Sequence, residues 1–533
     1  MAKSASKVNP DFVAGAVFFI TLCLYFVTAA PTFTLKNMGI DGGDLLAAAF
    51  NWGVPHPSGY PTYVLLLRLF SFVAPVGDLA FRANLFSALL GALTALLIFY
   101  ITLRVMRNAR AMGGGREGLA VACSAFAALS LASSPLFWSQ STIAEVYTLN
   151  AFFVACLLLL ALKVSSAAAS DSKNKAGTVK WLTLLGFLAG LSLGNHLTMV
   201  LLLPPLAFWL LATVGWRRLI SPWPALALIL GLLVYVYLPI SASLTPVVNW
   251  GGADSLKGFL WLTTGGPYHS EFHLFTLGVF GRLLDRIGLI FSQVNVLGVF
   301  LALVGAWYLQ KRLFRLFVTT AAFALIVIAY SASYEVRDAE VYMIPVVMVF
   351  AVWAGLGLYY AADSVLTLIE ERWPSYLRFR PAESLAVLAL TLVPGVAAAL
   401  NFGSLDLHSD RTDYKRYSEL IGRLPSKAVV MVTSDEDTFG LWYMRYVERR
   451  REDVTVVVVP LIQFDWYWND MHKLFPDRVP IPAPQDFGER VLQVAESNLG
   501  KVPVYTTYQE PRLDEKYTLE KDGDLYRVDL ISP

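Results

Sequence analysis

Charged residues and cysteines are scarce in this 533-residue chain, and their scarcity excludes several classes of protein. Only 15% of the residues are charged, and the net charge is +2. No lysine or arginine run is interleaved with aromatic residues, as a groove for single-stranded nucleic acid would require. The three cysteines, Cys23, Cys123 and Cys156, lie in apolar segments, where a thiol behaves as a small apolar group. The sequence therefore predicts no disulfide framework, no cysteine metal site and no nucleic-acid partner.

Apolar residues are abundant instead, and they predict an integral membrane protein. Hydrophobic residues make up 56% of the chain, and the mean hydropathy is +0.55. A soluble domain could not bury so much apolar surface, whereas a membrane helix needs about 20 apolar residues to cross the bilayer. The predicted spans are residues 11–31, 83–105, 117–136, 147–164, 181–195, 197–214, 222–240, 287–309, 314–332, 341–362 and 383–402. The predicted fold class is an α-helical polytopic membrane protein with about eleven transmembrane helices.

Two apolar segments need separate interpretation. Residues 11–31 are not followed by the small-residue cleavage signature of a signal peptide, so we expect a retained helix. Residues 61–76 are apolar but interrupted by Arg68, and they either cross the bilayer or lie along its outer surface as an amphipathic helix.

The lysines and arginines of the loops predict the orientation. Up to residue 400, eighteen of them fall on one side of the predicted membrane and seven on the other. Because basic residues near helix ends resist translocation, the side with eighteen is assigned to the cytoplasm. The N-terminus is then cytoplasmic, and the segment after the last span is extracytoplasmic, in the periplasm of a bacterium or the endoplasmic reticulum lumen of a eukaryote.

The chain is thus divided into a membrane domain, residues 1–402, with outer loops at 32–82 and 241–286, and an outer domain, residues 403–533. Residues 427–433 and 453–460 are β-branched runs typical of buried strands, and residues 437–449 have a helical pattern. This order predicts a small soluble α/β domain with a doubly wound sheet.

Unusual polar residues gather in the loops assigned to the outer side. Ionisable groups at the membrane are costly and are commonly functional, so their concentration on one side predicts a site there. The candidate catalytic residues are Asp41 and Asp44. The candidate substrate-binding residues are His56, Tyr60, Glu145, Tyr147, Asn195, His196, Asn249, Trp250, Arg337, Asp338, Glu340 and Tyr342.

Several of these residues also have purely structural interpretations. Asp44 follows two glycines and could cap a short helix, and His56 could stiffen a proline-bracketed turn. Asn195 and His196 could form hydrogen bonds between helices. Glu145 could be a solvated helix end, and Arg337 with Asp338 could form a local ion pair of little consequence.

The outer residues suit one kind of chemistry. A carboxylate desolvated by apolar helices has a raised pKa and can take a proton from an alcohol. An arginine, here Arg337, can hold a phosphate that leaves with its lipid, because the guanidinium fork matches phosphate oxygens.

The motifs that carry these residues also resemble a known family. They are IDGGDLLAAAFNWGVPHPSGYPTY at 40–63, AEVYTLN at 144–150, GNHLT at 194–198, YLPISASLTPVVNWG at 237–251 and RDAEVYMIP at 337–345. The chain resembles the C-superfamily (GT-C) membrane glycosyltransferases, specifically the protein O-mannosyltransferase-like group. The segment SDEDTFGLWYMRYV at 434–447 is also similar to members of this group.

This resemblance implies a polyprenyl-phosphate-linked sugar as donor, inversion at the anomeric carbon, and an acidic residue of the first outer loop as general base. Carried onto this sequence, the base is Asp41 or Asp44. Relatives commonly have glutamate at the position of Asp44, and Asp41 is slightly favoured because it does not share the capping role. Members of the superfamily differ in whether they use a divalent metal, and the sequence leaves this requirement open.

The predicted function is therefore a glycosyltransferase that moves a sugar from a lipid-linked donor to a hydroxyl of a protein or glycan acceptor, in contact with membrane lipids. The alternative is a polytopic transporter or flippase of a lipid-linked sugar. That alternative predicts charges near the bilayer midplane and inverted repeats, and the sequence shows no such internal symmetry.

Overall fold

The computed structural model describes residues 9–110, 116–170, 175–219, 221–273, 276–373, 381–481 and 486–531. The helices of the membrane domain are α1 Pro10–Thr28, α2 Gly42–Phe50, α3 Pro61–Val73, α4 Leu79–Arg110, α5 Glu117–Ala132, α6 Pro135–Gln140, α7 Tyr147–Ser170, α8 Lys175–Leu193, α9 Leu203–Val214, α10 Trp216–Leu219, α11 Pro222–Leu232, α12 Tyr237–Ser243, α13 Leu256–Thr263, α14 Leu277–Arg312, α15 Phe314–Ser333, α16 Ile344–Arg372 and α17 Pro381–Leu405.

Every predicted span falls on a helical segment. Short 3₁₀ turns join α11 to α12 and precede α9 and α16. Within the described residues, eight helical segments are long and apolar enough to cross a membrane, and four shorter apolar helices accompany them. The polytopic helical architecture is confirmed, while the count of eleven crossings stays a prediction.

The segment with the undecided path forms α3, whose 13 residues are about 20 Å long at 1.5 Å per residue. This is short of the roughly 30 Å hydrocarbon core. The Arg68 guanidinium donates to the Ala49 carbonyl at 2.8 Å and lies 4.0 Å from the Trp52 ring centroid. Both the length and this anchoring favour a helix that lies along the membrane surface rather than across the bilayer.

The closest packing in the bundle is between α14 and α16, where glycines allow the backbones to touch. A Cβ on Gly305 would lie 1.8 Å from the Trp353 carbonyl oxygen, and one on Gly357 would lie 1.9 Å from that of Leu301. Small residues at such crossings allow close approach in lipid, where no hydrophobic effect drives helices together. This close packing of α14 fixes the position of α16, whose first residues follow the site residues 337–342.

The remaining elements belong to the C-terminal α/β domain. Its helices are α18 Thr412–Arg423, α19 Asp435–Trp442, α20 Val459–Ile462, α21 Asp465–Leu474, α22 Phe487–Asn498 and α23 Pro511–Asp514, and its strands are β1 Val429–Val432, β2 Thr455–Val458, β3 Val504–Thr506, β4 Tyr517–Asp522 and β5 Leu525–Leu530. The strand order is β2-β1-β3-β5-β4.

The two predicted strands are confirmed as β1 and β2, which are fully buried and parallel. The predicted helix between them begins earlier, as α19, and continues as a π-helical segment over Tyr443–Val447. The doubly wound description holds only for the parallel strands β1, β2 and β3, because β5 is antiparallel to both β3 and β4. The β4–β5 hairpin turns at Gly523, whose φ of 64° favours glycine.

The predicted domain boundary at 402/403 lies within the last turn of α17, which ends at Leu405. Contacts join the two predicted domains. The Leu35 N–H donates to Asp413 Oδ2 at 2.8 Å, and the Lys36 ammonium lies 3.2 Å from Asp410 Oδ1. The division into domains remains a prediction, and these contacts bring the start of the C-terminal region against the first outer loop.

Candidate active site

Asp44 is the most enclosed carboxylate of the site. It lies in the first turn of α2 and has no exposed surface. Its Oδ2 atom accepts from the His56 backbone N–H at 2.9 Å and lies 2.6 Å from His56 Nδ1, and its Oδ1 accepts from Trp250 Nε1 at 3.2 Å. The capping interpretation of Asp44 is wrong, because the residue before α2 is Asp41 and neither side chain caps the helix.

Asp41 lies on the other side of the same imidazole. His56 Nε2 is 3.3 Å from Asp41 Oδ2, and the Asp41 side chain is 33% exposed, whereas that of His56 is 6% exposed. Burial lowers the pKa of His56, but the charges of Asp41 and Asp44 and their hydrogen bonds outweigh it and hold this pKa well above its usual range. The result is an imidazolium clamped between two carboxylates, of which Asp41 is the accessible one.

Asp41 and His56 line a cavity of about 230 Å³. Eight of the residues predicted for the site lie in its wall, drawn from four separate sequence motifs. They are Asp41, His56, Tyr60, Tyr147, His196, Arg337, Asp338 and Tyr342. The structure thus brings together residues that are up to about three hundred positions apart in the chain.

The aromatic members form one wall of the cavity. The ring of His196 lies 5.9 Å from that of Tyr60, 5.6 Å from that of Tyr147 and 5.6 Å from that of Tyr342. Burial, followed by the positive charge of His56, lowers the pKa of His196 to about 4. This imidazole is therefore neutral near pH 7 and adds an aromatic, hydrogen-bonding surface without adding charge.

Arg337 and Asp338 do not pair with each other, so the interpretation of a local ion pair is wrong. Arg337 forms an ion pair with Glu436 of α19. Asp338 accepts a hydrogen bond from the Tyr147 hydroxyl, and burial, with the nearby charge of Asp41, raises its pKa. Among the lining residues, Arg337 is the only arginine or lysine.

Glu145 lies behind the wall rather than in it. It is 1% exposed, and neither carboxylate oxygen has a hydrogen-bond partner among the described residues. Burial, followed by the charges of Asp41 and Asp338, raises its pKa well above the usual range. The interpretation as a solvated helix end is therefore wrong.

Four other predicted residues lie outside the cavity lining and hold its walls instead. The Asn195 amide donates to the Val146 carbonyl at 3.2 Å, which fits the interhelical interpretation. The Asn249 amide donates to Asp470 at 2.7 Å, and Glu340 pairs with Arg286 at 3.0 Å. Trp250 contacts Asp44, as described above.

Sequence reasoning missed five lining residues with aromatic or charged side chains: Tyr268, Tyr330, Tyr334, Asp435 and Glu436. For the last two a signal was available. The sequence SDED follows the predicted buried strand β1 directly, and the carboxyl ends of parallel strands are where α/β domains place their functional residues.

The approach of α19 to α2 depends on Gly43. A Cβ built on Gly43 would lie 2.2 Å from the Phe439 carbonyl oxygen. We expect Gly43→Ala to separate the two helices and to destabilise the protein by about 1–3 kcal/mol, the usual range for overpacking.

Gly422 provides a matched control for this change, because it is also helical and a Cβ there meets nothing within 4 Å. Gly422→Ala should be neutral or stabilising, since alanine is the better helix former. Thermal unfolding in detergent measures both variants. Equal melting temperatures for the two would contradict the close approach.

Within the described residues, no group of three or more histidine, cysteine, aspartate or glutamate side chains is arranged to hold a metal ion.

Comparison with solved structures identifies the fold as that of the C-type membrane glycosyltransferases. The chain matches the crystal structure of ArnT from Cupriavidus metallidurans bound to undecaprenyl phosphate, with a TM-score of 0.60, 13% identity and coverage of 97% of both chains. This likeness confirms the predicted fold class.

Sequence comparison gives the family. Residues 41–219 match the model of the protein O-mannosyl-transferase TMEM260 N-terminal domain, and residues 417–515 match TMEM260-associated domain 2. The chain belongs to this O-mannosyltransferase-like family, as its motifs predicted.

Two curated relatives extend over most of the chain. It is 28% identical to the mouse protein O-mannosyl-transferase TMEM260, over 85% of this chain and 64% of the relative. It is 23% identical to the Dictyostelium discoideum protein of the same name, over 92% of this chain and 62% of the relative. The chain thus spans less than two thirds of the length of either relative.

Proposed function

We propose that this protein is an inverting glycosyltransferase that moves mannose from a polyprenyl-phosphate donor to a serine or threonine hydroxyl of a protein on the extracytoplasmic side of the membrane. The observation that carries the proposal is the accessible Asp41 carboxylate, held by His56 in a cavity whose wall also contains Arg337. The names of the curated relatives supply the sugar and the acceptor class.

Asp41 is the general base. The acceptor oxygen attacks the anomeric carbon, the bond from that carbon to the phosphate oxygen breaks, and the hydroxyl proton passes to Asp41. The phosphate leaves with its lipid and keeps the bonding electron pair. One displacement from the face opposite the phosphate inverts the anomeric carbon.

His56 and Asp44 position the base. The imidazolium fixes one Asp41 oxygen at 3.3 Å, and Asp44 fixes the ring through Nδ1 at 2.6 Å. Asp44 is fully buried, and its carboxylate is occupied by the His56 and Trp250 donors. This burial supports Asp41 as the base and a positioning role for Asp44.

Arg337 holds the donor phosphate. Its side chain is 75% exposed and its partner Glu436 is 30% exposed, so the pair can open toward a ligand at small cost. A guanidinium matches phosphate oxygens in a fixed fork. The apolar helices beside the cavity supply a surface for the polyprenyl chain, and no soluble nucleotide is needed.

We expect Arg337→Ala to raise the KM for donor about 10- to 150-fold, because a charge-assisted hydrogen bond contributes about 1.5–3 kcal/mol. Arg337→Lys should recover part of the loss, since lysine keeps the charge but not the fork. The measurement is transfer from labelled polyprenyl-phosphate mannose to a serine- and threonine-containing peptide, with the exposed Lys257→Ala as control. An unchanged donor KM would remove Arg337 from the phosphate site.

The function itself is tested with the full chain in lipid nanodiscs. Supplied with labelled polyprenyl-phosphate mannose and peptide, it should produce mannosylated peptide with the inverted linkage. Mass spectrometry of glycoproteins and glycolipids from cells with and without the gene tests the acceptor class in parallel. Loss of a glycolipid alone, with all glycoproteins unchanged, would contradict a protein acceptor.

A further inference from the structure

The C-terminal α/β domain contributes side chains to the cavity through the first turn of α19. Ser434 caps this helix by accepting from the Asp437 N–H at 3.1 Å, which directs the next two residues, Asp435 and Glu436, into the cavity wall. The domain is therefore part of the site rather than a separate module beside it.

The contacts of α19 make this placement firm. The helix packs on α2 at Gly43, where a Cβ would meet the Phe439 backbone, and the Phe439 ring stacks on His56 with centroids 6.2 Å apart. Asp435 thus lies on the same helix as Phe439, which contacts the imidazole that positions the base.

Asp435 lies near both the proposed base and the proposed phosphate ligand. Asp41, the proposed base, also lines the cavity and is close enough to interact electrostatically with Asp435. The adjacent Glu436 is bound to Arg337, the proposed phosphate ligand. In a glycosyl transfer the sugar ring is the part of the substrate that lies between the attacking hydroxyl and the leaving phosphate.

The Asp435 carboxylate is available to a ligand. Among the described residues, no hydrogen bond or ion pair to this carboxylate is present, whereas Asp437, two positions on, accepts from the Tyr417 hydroxyl at 3.2 Å. The residue as a whole is exposed, but partial desolvation of its carboxylate and the charge of Asp41 raise the pKa of Asp435 to about 6. Near pH 7 it is therefore mostly an acceptor of hydrogen bonds.

We propose, on the basis of the function proposed above, that Asp435 is a sugar-binding residue that accepts hydrogen bonds from ring hydroxyls of the donor sugar and so determines which sugar is transferred. Tyr60, His196 and Tyr342, which line the same cavity, offer aromatic faces to the apolar side of the ring. A neutral hexose with free hydroxyls fits a cavity whose lining contains both a carboxylate and aromatic rings.

The test compares Asp435→Asn with Asp437→Asn in the full chain in nanodiscs. Donors are polyprenyl-phosphate mannose and polyprenyl-phosphate glucose, which differ in configuration at one ring hydroxyl. We expect Asp435→Asn to lower kcat/KM for the mannose donor about 10- to 100-fold, to raise the donor KM while leaving the peptide KM unchanged, and to narrow the preference between the two sugars. Asp437→Asn should leave all three quantities unchanged.

Several outcomes are distinguishable. An unchanged kcat/KM and sugar preference in Asp435→Asn, or a change confined to the peptide KM, would overturn the inference while the proposed function stands. A wild-type chain that transfers neither sugar would overturn both. Melting temperatures of the variants show whether folding is intact, and Asp435→Ser provides a second variant with the same expected pattern should the asparagine variant unfold.

Discussion

Replacing Asp41 with asparagine is expected to lower kcat by about 10²–10⁴, the range that a general base contributes. The amide cannot take the acceptor proton, but it keeps the size of the side chain and a carbonyl oxygen toward His56. Donor binding should change little, since the proposed phosphate contact is made by Arg337. The measurement is single-turnover transfer of labelled mannose, with donor binding determined separately.

Two further variants serve as a control and as a comparison for Asp41→Asn. Asp254→Asn, an exposed residue of the other outer loop, should retain full activity. Asp44→Asn should lower kcat to a smaller extent than Asp41→Asn, because it weakens the positioning of the imidazolium and leaves the base in place. A fully active Asp41→Asn variant, or a larger loss at Asp44, would assign the proton transfer to another group.

The membrane helices could be predicted because hydropathy and chain length limit what can lie in lipid. The eleven predicted spans all fall on helices, and the charge asymmetry placed the polar loops at one end of the bundle. The β4–β5 hairpin was not predicted, although Asp522-Gly523 is a strong hairpin signal. Strand β4 is mostly exposed and rich in charge, and β5 has only two buried positions, so neither has the apolar run that marked β1 and β2.

The sequence identified the polar residues near the site, but it did not show which of them line the cavity. Polarity beside apolar helices identified Asp41, His56 and Arg337, but it identified Asn249 and Glu340 equally well. The difference lies in their partners: Asn249 binds Asp470 and Glu340 binds Arg286. Such partners lie up to about two hundred positions away in the sequence, so a local sequence pattern cannot predict them.

Asp435 illustrates the opposite failure. It lies in a charged tract, which is ordinarily a solvated surface, in a domain that sequence reasoning treated as separate from the membrane part. Long-range contacts bring it to the cavity, among them those of Phe439 with Gly43 and His56 and the ion pair of Glu436 with Arg337. The two glycines before Asp44 were interpreted only as the start of a helix. Their second role, which is to let α19 pack against α2 at Gly43, cannot be recognised from the sequence.

Removing the His56 imidazole is expected to have the largest effect on stability. His56→Ala leaves the Asp44 carboxylate buried with two N–H donors, from the His56 backbone and from Trp250, but without its cation. Breaking a buried charge pair in this way costs about 3–5 kcal/mol. Thermal unfolding in detergent should show a large loss, while the exposed His408→Ala should not.

The pH dependence has a definite sign. Because the folded state raises the pKa of His56 well above its usual value, the stabilisation by the protonated ring is complete below about pH 6.5, the unfolded value. It is lost as the pH rises through the folded pKa. The difference in melting temperature between wild type and His56→Ala should therefore shrink as the pH is raised above neutrality.

The double variant His56→Ala with Asp44→Asn separates charge from packing. If the cost of His56→Ala comes from the unpaired Asp44 carboxylate, neutralising that carboxylate should recover part of the lost stability. Activity should stay low in both variants, since neither holds Asp41 in place. A double variant less stable than His56→Ala would mean that the imidazole acts mainly by filling space between Phe439 and Tyr60, whose rings lie 6.2 and 5.0 Å from it.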